Sequence, residues 1–359
     1  LERLASAVLA RGGAVHVETV DDPTALRDPR VYRAPSTPFW AYSALRIAAP
    51  SRREMVERLA AFRPTLVHVA TPFGVGLAGR SAARALGVPV VSSYHTAFDE
   101  YLQHYGLGAL DGAALPFLRW FHNGTRCTFA PSRTTAARLE AQGFDGLRIW
   151  GRGVDPLRFH PRFRDAAMRA AMGAREADVV VAYVGRLAPE KQVDVVLRAV
   201  ARLKASALGG RVRLAIAGDG PDAARLRALA PEDTWFAGML HGENLARFYA
   251  SADLLAFPST TETFGNVVLE AMASGLPVVA PDSGATLELA DAQTALTVPA
   301  GEVSAWTQAI ARLVKDPSER ERLRASSTAV AAARTWDAVW DRLFADYAAV
   351  STAATRSAA

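Results

Sequence analysis

In the second half of the chain, short and almost wholly apolar runs alternate with stretches whose apolar positions recur every three or four residues. The runs are Val179–Val184, Arg213–Ala217, Trp235–Ala237, Leu254–Phe257 and Val278–Ala280; the helical stretches lie near 193–203, after Pro221, near 243–250 and near 265–274. Strands without a polar face are buried on both sides, so this rhythm predicts a doubly wound parallel sheet. The first half carries a shorter version: Leu66–Ala70, a helix ending near Leu86 and Gly87, then Val88–Tyr94. That is a βαβ unit, whose crossover makes its strands parallel.

The segment Trp150-Gly-Arg-Gly-Val-Asp-Pro156 supplies glycines and a proline suited to a hinge. It divides the chain into a first domain over 1–153 and a second over 154–334. A helix over 335–350 follows, with Trp336, Val339, Trp340 and Leu343 on one stripe, and is expected to pack back on the first domain. The Ala/Ser/Thr run after Val350 has the composition of a disordered tail. The chain opens on an amphipathic helix over residues 1–10, whereas an α/β domain ordinarily opens on a strand. A preceding strand and loop are therefore expected to be missing.

Composition narrows the class. Half of the residues are hydrophobic and 21% are charged, as in ordinary globular domains. No apolar run approaches the ~18 residues of a membrane-spanning helix, and the first residues lack a signal-peptide pattern. The lone Cys127 excludes an internal disulfide. These features predict a cytoplasmic protein. The net charge of +5 comes from the first 150 residues, with 17 Arg against 12 Asp plus Glu. Such a half could meet an anionic membrane face or an acidic acceptor. Its scattered arginines do not predict a nucleic-acid partner.

Ligands of open parallel sheets bind at the carboxyl ends of the strands. There the chain places Gly185-Arg186, Gly218-Asp-Gly220, Gly238 and Ser259-Thr-Thr-Glu-Thr-Phe-Gly265. Arg186 and Lys191 flank a turn just before a helix, which brings two cations and a helix N-terminus toward one spot and suits a diphosphate. Lys191 is one of only three lysines. Glu262 and Glu270 stand eight residues apart, about two helical turns, so both carboxylates could face one crevice and accept from sugar hydroxyls. His95 ends the first-domain strand, where it could steer a proton. Gly218-Asp-Gly-Pro-Asp-Ala223 also fits a dinucleotide fingerprint, but the strand after it ends without an acidic residue for a ribose. An NAD-dependent oxidoreductase is the weaker alternative.

Together, Gly185-Arg-Leu-Ala-Pro-Glu-Lys191, Gly218-Asp-Gly-Pro221 and Thr261-Glu-Thr-Phe-Gly-Asn-Val-Val-Leu-Glu270 resemble the retaining family-4 glycosyltransferases of GT-B fold. Ser93-Tyr-His-Thr-Ala-Phe-Asp-Glu-Tyr-Leu-Gln-His-Tyr-Gly106 and Trp150–Asp155 look closest to bacterial GDP-mannose-dependent α-mannosyltransferases acting on glycolipids. The resemblance implies two Rossmann-like domains facing a cleft and no metal or cofactor beyond the nucleotide-sugar substrate. It implies that Arg186 and Lys191 bind the donor diphosphate. Glu262, with the backbone of Phe264 and Gly265, would hold the transferred sugar, Glu270 the ribose, and Gly218, Asp219, Gly238, Met239 and Leu240 would shape the base pocket, with Gly185, Thr263 and Asn266 also binding the donor. His95, Tyr101 and Tyr105 would meet the acceptor, a lipid or polyol. A UDP-sugar donor, a sugar-nucleotide epimerase or hydrolase, and an inactive nucleotide-binding remnant remain the alternatives.

Overall fold

The computed structural model describes residues 2–22, 27–39, 42–94, 111–262 and 264–357. They form two compact units, one of residues 1–150 with 340–359 and one of residues 151–339.

The first unit begins with α1 (Glu2–Ala10), β1 (Val17–Val20) and β2 (Val31–Ala34), the two strands pairing in parallel. An antiparallel ribbon follows, β3 (Thr37–Phe39) with β4 (Tyr42–Ile47). Next come α2 (Arg52–Phe62), β5 (Val67–Val69), α3 (Val75–Ala85), β6 (Val90–Ser93), α4 (Asp111–Asn123), β7 (Thr128–Ala130), α5 (Arg133–Ala141) and β8 (Leu147–Ile149). Strands β5-β6-β7-β8 make a parallel sheet in chain order, each strand joined to the next by a helix. The expected βαβ unit is its first half.

The C-terminal helix runs Trp336–Ser357, so the run after Val350 is helical, not the disordered tail its composition suggested. Alanine has the highest helix propensity, and Thr352 returns its hydroxyl to the Ala348 carbonyl instead of leaving it to water. Within the first unit, Trp340 packs against Trp150 at 6.2 Å between centroids, Asp346 pairs with Arg148 at 2.6 Å, and the Tyr347 hydroxyl bonds His68 Nδ1. In the 150–156 segment, Gly153 permits a close backbone approach. A Cβ on Gly153 would stand 2.6 Å from the Trp336 backbone.

Two histidines sit inside the first unit, His122 buried and His68 half-buried. His68 lies among Phe129, Trp150 and Tyr347, with Nε2 bonded to Ser93 at 2.7 Å. His122 Nδ1 meets Ser92 at 2.9 Å, and that hydroxyl also reaches Thr128. Burial holds His68 down to about 3 and, with help from Arg80, His122 to about 4. Both are depressed below the unfolded value near 6.5, so the unfolded chain binds the extra protons. Their neutral forms stabilise the fold fully above pH 6.5, and that contribution is lost as pH falls through 6.5 toward 4. At pH 4.5 each histidine is expected to cost about 3 kcal/mol. Urea midpoints between pH 7.5 and 4.5 measure this; a flat profile contradicts it.

The second unit is the doubly wound sheet. Its elements are α6 (Ala166–Ala171), β9 (Val179–Val184), α7 (Val193–Lys204), β10 (Val212–Ala217), α8 (Ala223–Leu229), β11 (Trp235–Gly238), α9 (Gly242–Ser251), β12 (Leu254–Ala256), α10 (Asn266–Ala273), β13 (Val278–Pro281), β14 (Ala295–Val298), α11 (Val303–Lys315) and α12 (Pro317–Ala332). The strand order β11-β10-β9-β12-β13-β14 is parallel throughout. Every residue of β9, β12 and β13 is buried, as uniformly apolar runs require. The chain leaves β9 in one direction for β10 and β11, then returns to β12 on its other side. The switch point, where such sheets bind ligands, therefore lies between β9 and β12.

Candidate active site

The loops leaving β9, β10 and β11 are laced together by backbone bonds. Gly185 N–H donates to Ala217 O at 3.0 Å, Leu187 N–H to Asp219 O at 2.9 Å, Asp222 N–H to Leu187 O at 3.0 Å and Gly218 N–H to Gly238 O at 2.8 Å. Glycine makes this possible. Gly218 has φ 146°, and a Cβ there would overlap the Gly185 carbonyl. Gly220 has φ 159° and would likewise strike Leu187 O. These glycines, which sequence alone could read as a dinucleotide fingerprint, serve loop-on-loop packing.

The loop after β9 closes in a short 3-10 turn, Pro189–Lys191, followed by Gln192 with φ 52° and the start of α7. The Tyr183 hydroxyl, buried in β9, donates to Arg186 O at 3.0 Å and fixes the backbone of that exposed arginine. Burial raises the Tyr183 phenol far above its ordinary range, so it remains a donor. Lys191 Nζ reaches across to the loop after β12. It donates to Glu262 Oε1 at 2.6 Å and lies 3.4 Å from both Ser259 Oγ and Thr261 Oγ1. Ser259 is fully buried and also meets Glu262 Oε1, at 3.0 Å. The Lys191 and Glu262 side chains keep 14% and 24% exposure, enough to touch a ligand.

Helix α10 begins at Gly265, φ 95°, and presents Glu270, whose Oε2 accepts from the buried Tyr249 hydroxyl at 3.1 Å. Like α3, α8, α9 and α11, neither α7 nor α10 has a side-chain N-cap bond. Helices α2, α5, α6 and α12 are capped by Ser51, Ser132, Asp165 and Asp316. Uncapped N–H groups at a helix start suit an anion.

Of the expected donor residues, Lys191 and Glu262 thus come into direct contact at the switch point, and Gly185, Gly218 and Gly238 form the interlocked loops. Asp219 is exposed and bonds its own loop through Gly220 N–H at 2.8 Å. Met239 is 60% exposed, Leu240 partly buried, Phe264 buried and Asn266 exposed. Glu270 is gripped separately from Glu262, by Tyr249. His95, Tyr101, Tyr105 and Thr263 lie outside the described residues. Ser259, Tyr183 and Tyr249 were given no role by sequence reasoning. Only Tyr183 carried a signal, as the one polar-tipped side chain in an otherwise aliphatic strand.

The carboxyl ends of β9 and β12 thus bring a cation, a carboxylate and a buried hydroxyl together at the switch point of a parallel sheet. Residues 1–158 match Glycosyltransferase Family 4 and residues 178–316 match Glycosyl transferases group 1. The chain belongs to the family-4 glycosyltransferases and is a glycosyltransferase. It is 40% identical over 332 residues to a GDP-mannose-dependent alpha-mannosyltransferase of Mycobacterium tuberculosis, covering 92% of this chain and 84% of that protein. Its identity to a GDP-mannose-dependent alpha-mannosyltransferase of Mycolicibacterium smegmatis is 38% over 323 residues, covering 89% and 83%. Among solved structures, sucrose-phosphate synthase from Thermosynechococcus elongatus matches with TM-score 0.76 at 22% identity, over 98% of this chain and 92% of that one, a likeness of fold.

Proposed function

We propose that the protein transfers mannose from GDP-mannose to a hydroxyl of a glycolipid or polyol, retaining the anomeric configuration and using no metal ion. The observation that carries this reading is the Lys191–Ser259–Glu262 cluster at the β9/β12 switch point. The names of the mycobacterial relatives support the choice of sugar and base.

Cleaving the glycosyl–phosphate bond leaves negative charge on the diphosphate. Arg186, Lys191 and the starts of α7 and α10 are the groups to stabilise it, because fixed donors cost no reorganisation during the reaction. Glu262, with the Phe264 and Gly265 backbone, accepts from or donates to the sugar, and Glu270 accepts from ribose hydroxyls. The acceptor hydroxyl attacks the anomeric carbon on the face the diphosphate leaves. Its proton passes to the departing phosphate oxygen, which balances charge and retains configuration. His95, Tyr101 and Tyr105 serve the acceptor.

The work takes place in the cytoplasm at an anionic membrane face. The basic first unit supports this, as does its exposed aromatic pair. Trp120 is 57% exposed on α4 and Phe73 46% exposed, and Phe117 lies within 6.0 Å of both ring centroids. Among the described residues no helix is long and apolar enough to cross a membrane. One experiment tests the reading. GDP-mannose and UDP-glucose are titrated in turn, and mannose transfer is assayed with and without EDTA, to acceptors free or in anionic vesicles. Transfer from GDP-mannose that EDTA leaves unchanged and vesicles enhance is expected. Preference for UDP-glucose, sugar release without transfer, or no turnover selects one of the alternatives.

A further inference from the structure

We propose that Tyr249 and Ser259 are positioning residues that aim the two carboxylates of the donor site, Tyr249 holding Glu270 and Ser259 holding Glu262. The inference rests on the donor-site reading above and assigns its recognition of ribose and of mannose to separate supports.

A glutamate on a partly exposed helix or loop has several rotamers, and freezing it on ligand binding costs entropy. Here each carboxylate is gripped from beneath by a hydroxyl with 0% exposure. The Tyr249 ring on α9 is wedged edge-on against Phe159 at 5.7 Å and Phe248 at 6.4 Å between centroids, so its hydroxyl has one direction to point. That direction meets Glu270 Oε2 at 3.1 Å. Burial, and next the nearby Glu270 charge, hold the phenol well above its ordinary value, so the proton stays on the tyrosine.

Ser259 works in series with a cation. Lys191 Nζ has only protons to offer, and at 3.4 Å it takes a lone pair of Ser259 Oγ. The serine's own proton is then directed to Glu262 Oε1 at 3.0 Å. A carboxylate accepts at about four lone-pair positions, and on Glu262 both Lys191 and Ser259 take Oε1, which leaves Oε2 for the hydroxyls of a ligand. The two supports come from different elements, α9 and the loop after β12. They should therefore fail independently.

The test measures kcat/KM of the full chain for GDP-mannose and for two kinds of analogue, deoxy on the ribose (2′ or 3′) and deoxy on the mannose. Tyr249→Phe is expected to shrink the preference for ribose hydroxyls about tenfold while leaving the mannose preference intact. Ser259→Ala is expected to do the reverse. If either variant lowers both preferences equally, or leaves its own preference at the wild-type value, the proposal is overturned. Glu270→Gln separates this failure from that of the underlying reading. Loss of ribose preference in Glu270→Gln but not in Tyr249→Phe refutes positioning by Tyr249 alone. Retention of that preference in Glu270→Gln removes the ribose assignment itself. Should Tyr249→Phe not fold, the Ser259→Ala arm decides, because deleting one hydroxyl there leaves the Lys191–Glu262 pair in place.

Discussion

Replacing Lys191 by methionine is expected to lower kcat by roughly 10²–10³-fold, the usual loss when a fixed donor to developing negative charge is removed. KM for GDP-mannose should change much less than kcat, since charge on the diphosphate grows as its bond to the sugar breaks. Structure and chemistry are coupled at this residue. The ammonium lies 2.6 Å from Glu262 Oε1, and the two side chains are mostly enclosed. Removing it leaves a half-buried carboxylate without its cation, so thermal stability should fall as well. Glu262→Gln in the same chain relieves that second penalty but not the first. The double variant should therefore recover melting temperature without recovering kcat, a non-additivity that a double-mutant cycle reads directly. Lys191→Arg should not rescue turnover, because a planar fork does not occupy the site of a compact ammonium. A kcat for Lys191→Met within threefold of wild type contradicts the charge-stabilising role.

Gly218→Ala is expected to cost about 4 kcal/mol of stability, an exceptional value for one methyl group. The methyl would overlap the Gly185 carbonyl, and φ 146° is a conformation an L side chain rarely adopts. No rotamer relieves a clash with backbone, so the loop after β10 must move away from the loop after β9. That movement breaks the Leu187–Asp219 and Asp222–Leu187 bonds and shifts the segment bearing Arg186. Donor affinity should fall at least tenfold, about 1.4 kcal/mol, in any molecules that remain folded. Gly210→Ala is the control, because nothing lies within 4 Å of a Cβ there, and it should stay within about 0.5 kcal/mol of wild type. Urea unfolding and calorimetric titration of GDP measure both. Equal stabilities for the two variants contradict the interlocked-loop description.

The sheet around this site was legible because burial on both faces leaves no room for a polar residue. Val179–Val184, Leu254–Phe257 and Val278–Ala280 announce themselves, and all three strands sit within a residue of those limits. The other edge was hidden. β14, Ala-Leu-Thr-Val, is four residues long and half-polar in its burial, which leaves no period to detect. In the first unit, β2 and β3 contain Arg33 and Pro38, residues that dilute a strand signal. Helix α2 buries only Met55 and Leu59, too thin a stripe to stand out. A Ser51-x-x-Glu54 capping pattern was available there, and the Ser51 hydroxyl does accept from Glu54 N–H.

At the site, residues with unusual chemistry for their context were readable, such as a rare lysine before a helix and a glutamate before a glycine. The hydroxyls behind them were not. Tyr249 meets Glu270 from 21 residues away, and Ser259, though only three residues from Glu262, takes its orientation from Lys191, 68 residues away; only folding brings those partners together.

The structure of the protein with GDP-mannose bound puts the donor-site assignment to its plainest trial. The diphosphate should lie within hydrogen-bond reach of Lys191 Nζ and the open start of α7, the mannose against Glu262, and the ribose against Glu270. A nucleotide sugar seated elsewhere, with Lys191 and Glu262 bonded as in the free protein, would show that the switch point of this sheet is not where the donor binds.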